Sequence, residues 1–142
     1  MRRVRGLGLA AGVGFGLVVT AACDAGGTSG ASRYCDVVKQ VQASVDPLAD
    51  QSIYGDPARL KDALIARVKT YTDLAGRAPD EIRPDANTVR DSVIKVNNAL
   101  AAAGYQSAAA NSDPTVQAVL SDQALQDAQA RMAAYDAEHC AN

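Results

Sequence analysis

From Tyr34 onward the apolar side chains of this chain return every three or four positions in four separate runs, and nowhere do they alternate with the period of two that a half-buried strand requires. The first run is Tyr34, Val37, Val38, Val41, Val45 and Leu48, in a segment ended by Asp46-Pro47. The second opens at Asp56-Pro57, a capping carboxylate followed by a proline whose fixed φ suits a first helical turn, and carries Leu60, Leu64, Val68, Tyr71 and Leu74 until Gly76 stops it. The third carries Ile82, Ala86, Val89, Val93, Val96 and Leu100 and ends at Gly104; Pro84, inside its stripe, predicts either a kink or a first turn separated from the main helix. The last carries Leu125, Ala128, Met132, Tyr135 and His139, and before it Asp113-Pro114 starts a short helical turn through Leu120 that belongs to the connection. One stripe per helix predicts an all-α domain, a small up-down four-helix bundle in which each stripe faces the core. The chain contains no Trp and much Ala, so this core is expected to be thin.

What precedes the helices reads as an export signal. Arg2, Arg3 and Arg5 supply positive charge, and Leu7 to Val19 contains no charged residue, the pattern of a secretory signal peptide. That stretch falls short of the roughly 20 residues a membrane-spanning helix needs. Small residues close it, Thr20, Ala21 and Ala22, and Cys23 directly after them resembles the bacterial lipobox, with Thr20 where Leu is usual. The resemblance implies a diacylglycerol on the Cys23 thiol, cleavage just before it, and a protein anchored to the extracytoplasmic face of the cell membrane. Two or three acyl chains hold firmly, since each buried CH₂ contributes about 0.8 kcal/mol and one chain alone binds reversibly. The expected organisation is a signal peptide at 1–22, a lipidated cysteine with a flexible Gly- and Ser-containing tether at 23–32, and a helical domain at 33–142. The pair Arg2-Arg3 lacks the rest of a twin-arginine motif, which leaves the export route open.

With Cys23 acylated, Cys35 and Cys140 remain in an oxidising compartment, and a disulfide between them is the expectation. A metal site built from Cys35, His139 and Cys140 is disfavoured, because adjacent helical residues point about 100° apart and a fourth ligand is missing. The cysteine pairing also constrains topology. Four antiparallel helices of similar length return the chain to the end where it began, bringing Cys35 to Cys140, whereas three or five would separate them. The tethered end then faces the membrane, and the connections 46–57 and 104–121 form the distal end.

Together the lipobox, Tyr34-Cys35-Asp36, the run Ala78 to Ile82 and the terminal Tyr135, His139 and Cys140 resemble small lipoproteins of high-GC Gram-positive bacteria. That resemblance implies an envelope location and no particular activity.

Charge and motifs narrow the function classes. Of 14 basic residues three leave with the signal peptide, so 11 face 16 acidic ones, a formal charge near −5. A basic footprint for nucleic acid is absent. His139, the single histidine, stands beside Glu138 and three residues after Asp136, an arrangement unsuited to a triad, and it is expected to pack near the disulfide. No phosphate-binding loop, EF-hand or nucleophile elbow is present. The expectation is therefore a non-enzyme with no cofactor and no metal. Ile53 and Tyr54 place large apolar side chains in a loop, where they act either as a lid over the bundle end or, with Tyr105, as an exposed anchor for an envelope protein or wall polymer. Two function classes follow: a tethered interaction module displaying its distal loops, and a small carrier or sensor of an apolar ligand held between the helices.

Overall fold

The computed structural model describes residues 28–141; the expected signal peptide, Cys23 and the first part of the tether lie outside the described residues. Among these residues there is helix and no strand. The helices are α1 (Thr28–Ala43), α2 (Pro57–Arg77), α3 (Arg83–Ala102), α4 (Ser107–Ala110), α5 (Pro114–Leu120) and α6 (Gln123–His139), with 3₁₀ turns at Pro47–Ala49 and Gln51–Gly55 between α1 and α2.

Aspartates set most of the starting points. The Asp56 carboxylate accepts from the amides of Ala58 at 2.9 Å and Arg59 at 3.3 Å, Asp113 from Thr115 at 2.8 Å and Val116 at 3.1 Å, and Asp122 from Ala124 at 2.9 Å. Asp46 and Asp50 do the same for the two 3₁₀ turns, through the amides of Leu48 and Ser52. Each such cap satisfies donors that the first helical turn leaves unpaired and is typically worth about 1 kcal/mol.

Several boundaries differ from the sequence pattern for identifiable reasons. Helix α1 begins at Thr28, inside the stretch expected as tether, so residues 28–32 extend the helix ahead of Tyr34. It ends at Ala43, and Val41 and Val45 are exposed rather than core, Val45 by 87%. The cause is Pro47: it holds Asp46 extended (φ −64°, ψ 115°), so the helix must stop before it. The Ser44 hydroxyl donates back to the Gln40 carbonyl at 2.7 Å in that last turn. Gly76 does not stop α2, which runs on to Arg77; the stop is Ala78, extended because Pro79 follows. Pro84 sits in the first turn of α3, after a separate turn at 80–82, and produces no kink. The end of α3 is a Schellman arrangement. The Tyr105 amide donates to the Leu100 carbonyl at 2.7 Å and the Gly104 amide to the Ala101 carbonyl at 3.1 Å, with Gly104 at φ 62° and Tyr105 at φ 58°.

Two apolar clusters make the core. The larger joins α1 (Tyr34, Cys35, Val38), the end of α2 (Leu74, Ala75), the start of α3 (Ile82, Ala86, Val89), Val119 of α5 and the α6 stripe Leu125, Ala128, Met132 and Tyr135. The smaller gathers Ile53, Leu60, Ala63, Leu64 and Leu100, with Leu48 and Tyr105 packed against it. Val96 touches both. Helix α2 thus runs from the smaller cluster to the larger and α3 runs back. Helix α1 packs on α2, α2 on α3, α3 on α6, and α6 on α1, while α5 lies against α3. The connection 104–121 therefore does not stay at one end. Its first part covers the smaller cluster through Tyr105 and Ala110, and α5 returns to the larger one, because α6 already starts there at Leu125.

Cys35 and Cys140 form a disulfide, with Cα atoms 5.1 Å apart across a sequence separation of 105. Both cysteines are buried, and the Tyr34 and Tyr135 rings meet edge-to-face beside them, centroids 5.9 Å apart.

Candidate functional site

The end of the molecule around the smaller cluster is built from the 46–57 connection. Ile53 is 3% exposed and fills the space over Leu60, Leu64 and Leu100, so it serves as the lid and not as an exposed anchor. Tyr54 points the other way: it is 38% exposed, and its hydroxyl donates to the Leu48 carbonyl at 3.0 Å, which fixes the ring on the surface. Tyr105 is half-buried against the smaller cluster, its hydroxyl 3.5 Å from Asn97 Oδ1. The left-handed backbone of Tyr105 explains its position, since the Schellman turn carries the ring back over Leu100. Of the three, Tyr54 is the one exposed side chain, at 38%.

The loop is stiffened by cations from α2. Arg59 donates to Ser52 Oγ and to Asp50 Oδ2, both at 3.0 Å, and Arg67 to Asp46 Oδ2 at 3.2 Å. The amide and hydroxyl of Ser52, with Arg59, hold the exposed Asp50 carboxyl below its ordinary range. Beside Asp46, a cleft of about 380 Å³ runs between the end of α1 and the middle of α2, floored by Ala63 and Ala66 and walled by Val41, Val45 and Pro47. Arg67 lines it too, its guanidinium 5.6 Å from the centre of the Tyr71 ring. Val41 and Val45 belong to the α1 stripe but lie where the helix ends, and the α2 surface facing them combines the small Ala63 and Ala66 with polar side chains such as Arg67 and Thr70.

A second cleft, of about 240 Å³, lies on the other side of Val41, among α1, α2, α3 and α6. Its walls are mostly apolar, including Val38, Leu74, Val89 and Met132, with Gln42, Gln129 and Tyr71 also on them, and two of its lining residues are polar and poorly satisfied. Tyr34 is fully buried, and its hydroxyl and Asp136 Oδ1 are enclosed without an aligned hydrogen-bond partner. The two groups are close enough to influence each other. Burial, and then the neighbouring Asp136 charge, push the Tyr34 hydroxyl well above its ordinary range. Burial likewise raises the Asp136 carboxyl, an effect that Tyr34 partly offsets. Sequence reading missed this pair. The signal available was positional: Asp136 lies one helical turn before Cys140 and Tyr34 directly before Cys35, so the disulfide draws them together.

His139 does not continue the buried stripe. Its side chain is 41% exposed and stacks on Tyr135, ring centroids 4.2 Å apart, with Glu138 at 3.9 Å. Its carbonyl approaches the disulfide, 3.6 Å from Cys35 Sγ. The stripe turns outward at this last turn because Cys140, one position on, takes the inward direction. Elsewhere on α6, Arg131 clamps Asp85 of α3 through two nitrogens at 2.7 and 3.0 Å, which holds the Asp85 carboxyl below its ordinary range.

Among the described residues no group of three or more His, Cys, Asp or Glu side chains gathers as metal ligands would, and no helix is long and apolar enough to cross a membrane. Compared with known proteins, the chain matches no protein-family model, no curated protein and no solved structure.

Proposed function

We propose that the chain is a lipid-anchored, extracytoplasmic protein of the cell envelope whose helical domain is a non-catalytic interaction module. The anchor is read from the sequence, from the 1–22 signal pattern and Cys23. In the finer reading of the fold, α1, α2, α3 and α6 form an up-down four-helix bundle with α4 and α5 as an elaborated connection. The disulfide then marks the membrane-proximal end, and the presented end carries the 46–57 loop. The observation that carries the reading is the cleft beside that loop: Val45 at 87% exposure and Val41 at 40% flank it, with Arg67 at its edge and Tyr54 nearby in the chain. A monomer gains nothing from leaving such side chains in water, whereas an apolar floor with a polar rim suits an envelope protein or a wall polymer.

A second reading, a small carrier or sensor, is favoured by the Tyr34 and Asp136 cleft, whose apolar walls surround unsatisfied polar groups. Native mass spectrometry of the protein extracted gently from its own membrane, without reduction, tests both. The mass of lipidated Cys23 onward with a second protein bound supports the interaction module, and the same mass with a small organic adduct supports the carrier. Retention of residues 1–22 refutes the anchor, and a bare lipidated chain counts against both binding roles.

A further inference from the structure

The Tyr34 and Asp136 cleft departs from what folding alone requires. A buried phenol normally finds a partner, and a half-buried carboxylate normally keeps a cation or several amides around it; unsatisfied buried polar groups in a folded protein call for an explanation. Here neither the enclosed hydroxyl nor the enclosed carboxylate oxygen has an aligned partner, and they are the buried side-chain atoms so left among the described residues. Four arginines are committed elsewhere. Arg67 bonds to Asp46, Arg83 to Asp80, Arg90 to Asp91 and Arg131 to Asp85. Asp136 Oδ1 has no hydrogen-bond partner among the described residues, and none of the residues lining the cleft is Lys, Arg or His.

We propose that this cleft binds a small organic cation: a primary ammonium group seated against the Asp136 carboxylate, with an apolar body lying along Val38, Leu74, Val89 and Met132. The proposal rests on the carrier reading and specifies the head group of its ligand. Three features select that chemistry. Asp136 Oδ1 has no hydrogen-bond partner and the cleft lining holds no basic side chain, and an ammonium supplies both the charge and donors. The walls are mostly aliphatic, which suits a hydrocarbon body; Gln42, Gln129 and Tyr71 also line the cleft but carry no charge to compete for an ammonium group. The volume, about 240 Å³, lies below the roughly 300–1,000 Å³ of clefts that take drug-sized ligands, so the occupant is smaller than those. Tyr34, 0% exposed, lines only the back of the cleft and offers the ligand no accessible polar surface. It stands behind Asp136 as a positioning residue, its hydroxyl free to donate to the inner oxygen so that the outer part of the carboxylate stays presented to the cleft.

Methionine provides a local reporter, because Met1 and Met132 are the only two in the chain. The full-length protein, labelled with ¹³C at the methionine methyls, is titrated with hexylammonium chloride, 1-hexanol and sodium hexanoate at neutral pH. The expected result is a saturable shift of the Met132 signal with hexylammonium, at least tenfold weaker binding of hexanol and no measurable binding of hexanoate. Asp136→Asn is expected to weaken hexylammonium at least tenfold and leave hexanol unchanged. Tyr34→Phe is expected to narrow the preference for ammonium over alcohol by a few-fold. The comparison among the three probes uses the unaltered chain, so it stands whether or not a variant folds. Hexanol binding as tightly as hexylammonium overturns the cationic head while sparing the carrier reading. A Met132 signal that moves with none of the probes overturns both.

Discussion

Removing the disulfide should expose how much of this domain depends on covalent closure. Cys35 and Cys140 are 105 positions apart, and the bond closes almost the whole described chain. In the chain-entropy account, cross-linking a loop of about 100 residues removes about 4.7 kcal/mol of conformational freedom from the unfolded state, and observed effects commonly fall at about 2–4 kcal/mol. The folded side adds a smaller term. Both cysteines belong to the larger cluster, at 7% and 6% exposure, next to the Tyr34 and Tyr135 contact that helps hold α1 on α6. Two comparisons separate these contributions. The protein reduced by a phosphine keeps both sulfurs in place and loses only the closure; Cys35→Ala with Cys140→Ala loses the sulfur packing as well. Urea unfolding followed by far-ultraviolet circular dichroism should place the reduced protein about 2–4 kcal/mol below the oxidised one, and the double variant slightly lower still. In thermal melts the same loss corresponds to a fall of roughly 10–25 °C for a domain of this size. A reduced protein within about 1 kcal/mol of the oxidised form would refute the reasoning, since closure of so long a loop should constrain the unfolded chain far more than that.

Other changes read single features. Gly104→Ala, at φ 62° with open space around the added Cβ, should destabilise by about 1 kcal/mol, whereas Gly76→Ala, in a helical turn with equally open space, should stabilise by about 0.5–1 kcal/mol; chemical denaturation measures both. Ile53→Ala should cost about 2–4 kcal/mol because it empties the lid over the smaller cluster, while Tyr54→Ala should cost well under half as much, and equal effects would contradict the opposite placement of the two side chains. Asp113→Ala should remove the cap of α5 at a cost of about 1 kcal/mol, with slower hydrogen exchange at the Thr115 and Val116 amides as the contrary result.

Much of the secondary structure follows from local rules that a sequence displays openly. Asp-Pro at 56–57 and 113–114 marks helix starts because both residues act within their own turn, and the stripes Leu60 to Leu74 and Leu125 to Tyr135 mark the faces that meet the core. What was less legible depends on neighbours distant in sequence. Val41 belongs to the stripe of α1 but not to the core, because α1 ends two residues later at Ala43 and the cleft beside it is lined by small or polar α2 side chains such as Ala63, Ala66 and Arg67. Tyr105 looks like an exposed loop residue until the Schellman turn carries it back over Leu100. Asp136 looks like one more surface acid on an acidic helix. Only once Cys35 and Cys140 are joined does it face the phenol of Tyr34.

The pH dependence of that pair gives the sharpest test of whether Asp136 stands uncompensated in the folded chain. Its pKa is raised above the ordinary 3.8, chiefly by burial. The folded state therefore holds a proton that the unfolded state has released in the interval between the two values, and stability conferred by the neutral carboxyl is lost as pH rises through it. Below pH 3.8 Asp136 contributes no penalty; above its native value the penalty is complete. Asp85 behaves oppositely, since its pKa is lowered by Arg131, and its contribution is present above the ordinary value and lost as pH falls through the lowered one. Asp136→Asn should accordingly gain on the parent as pH increases from the ordinary carboxyl range and level off above it, whereas Asp85→Asn should lose on the parent over the acidic interval. Urea midpoints for parent and variants across pH 3–8 provide the measurement. If the Asp136→Asn curve runs parallel to the parent, the carboxylate already has a partner in the folded chain, and the case for a cation seated against it falls with the penalty.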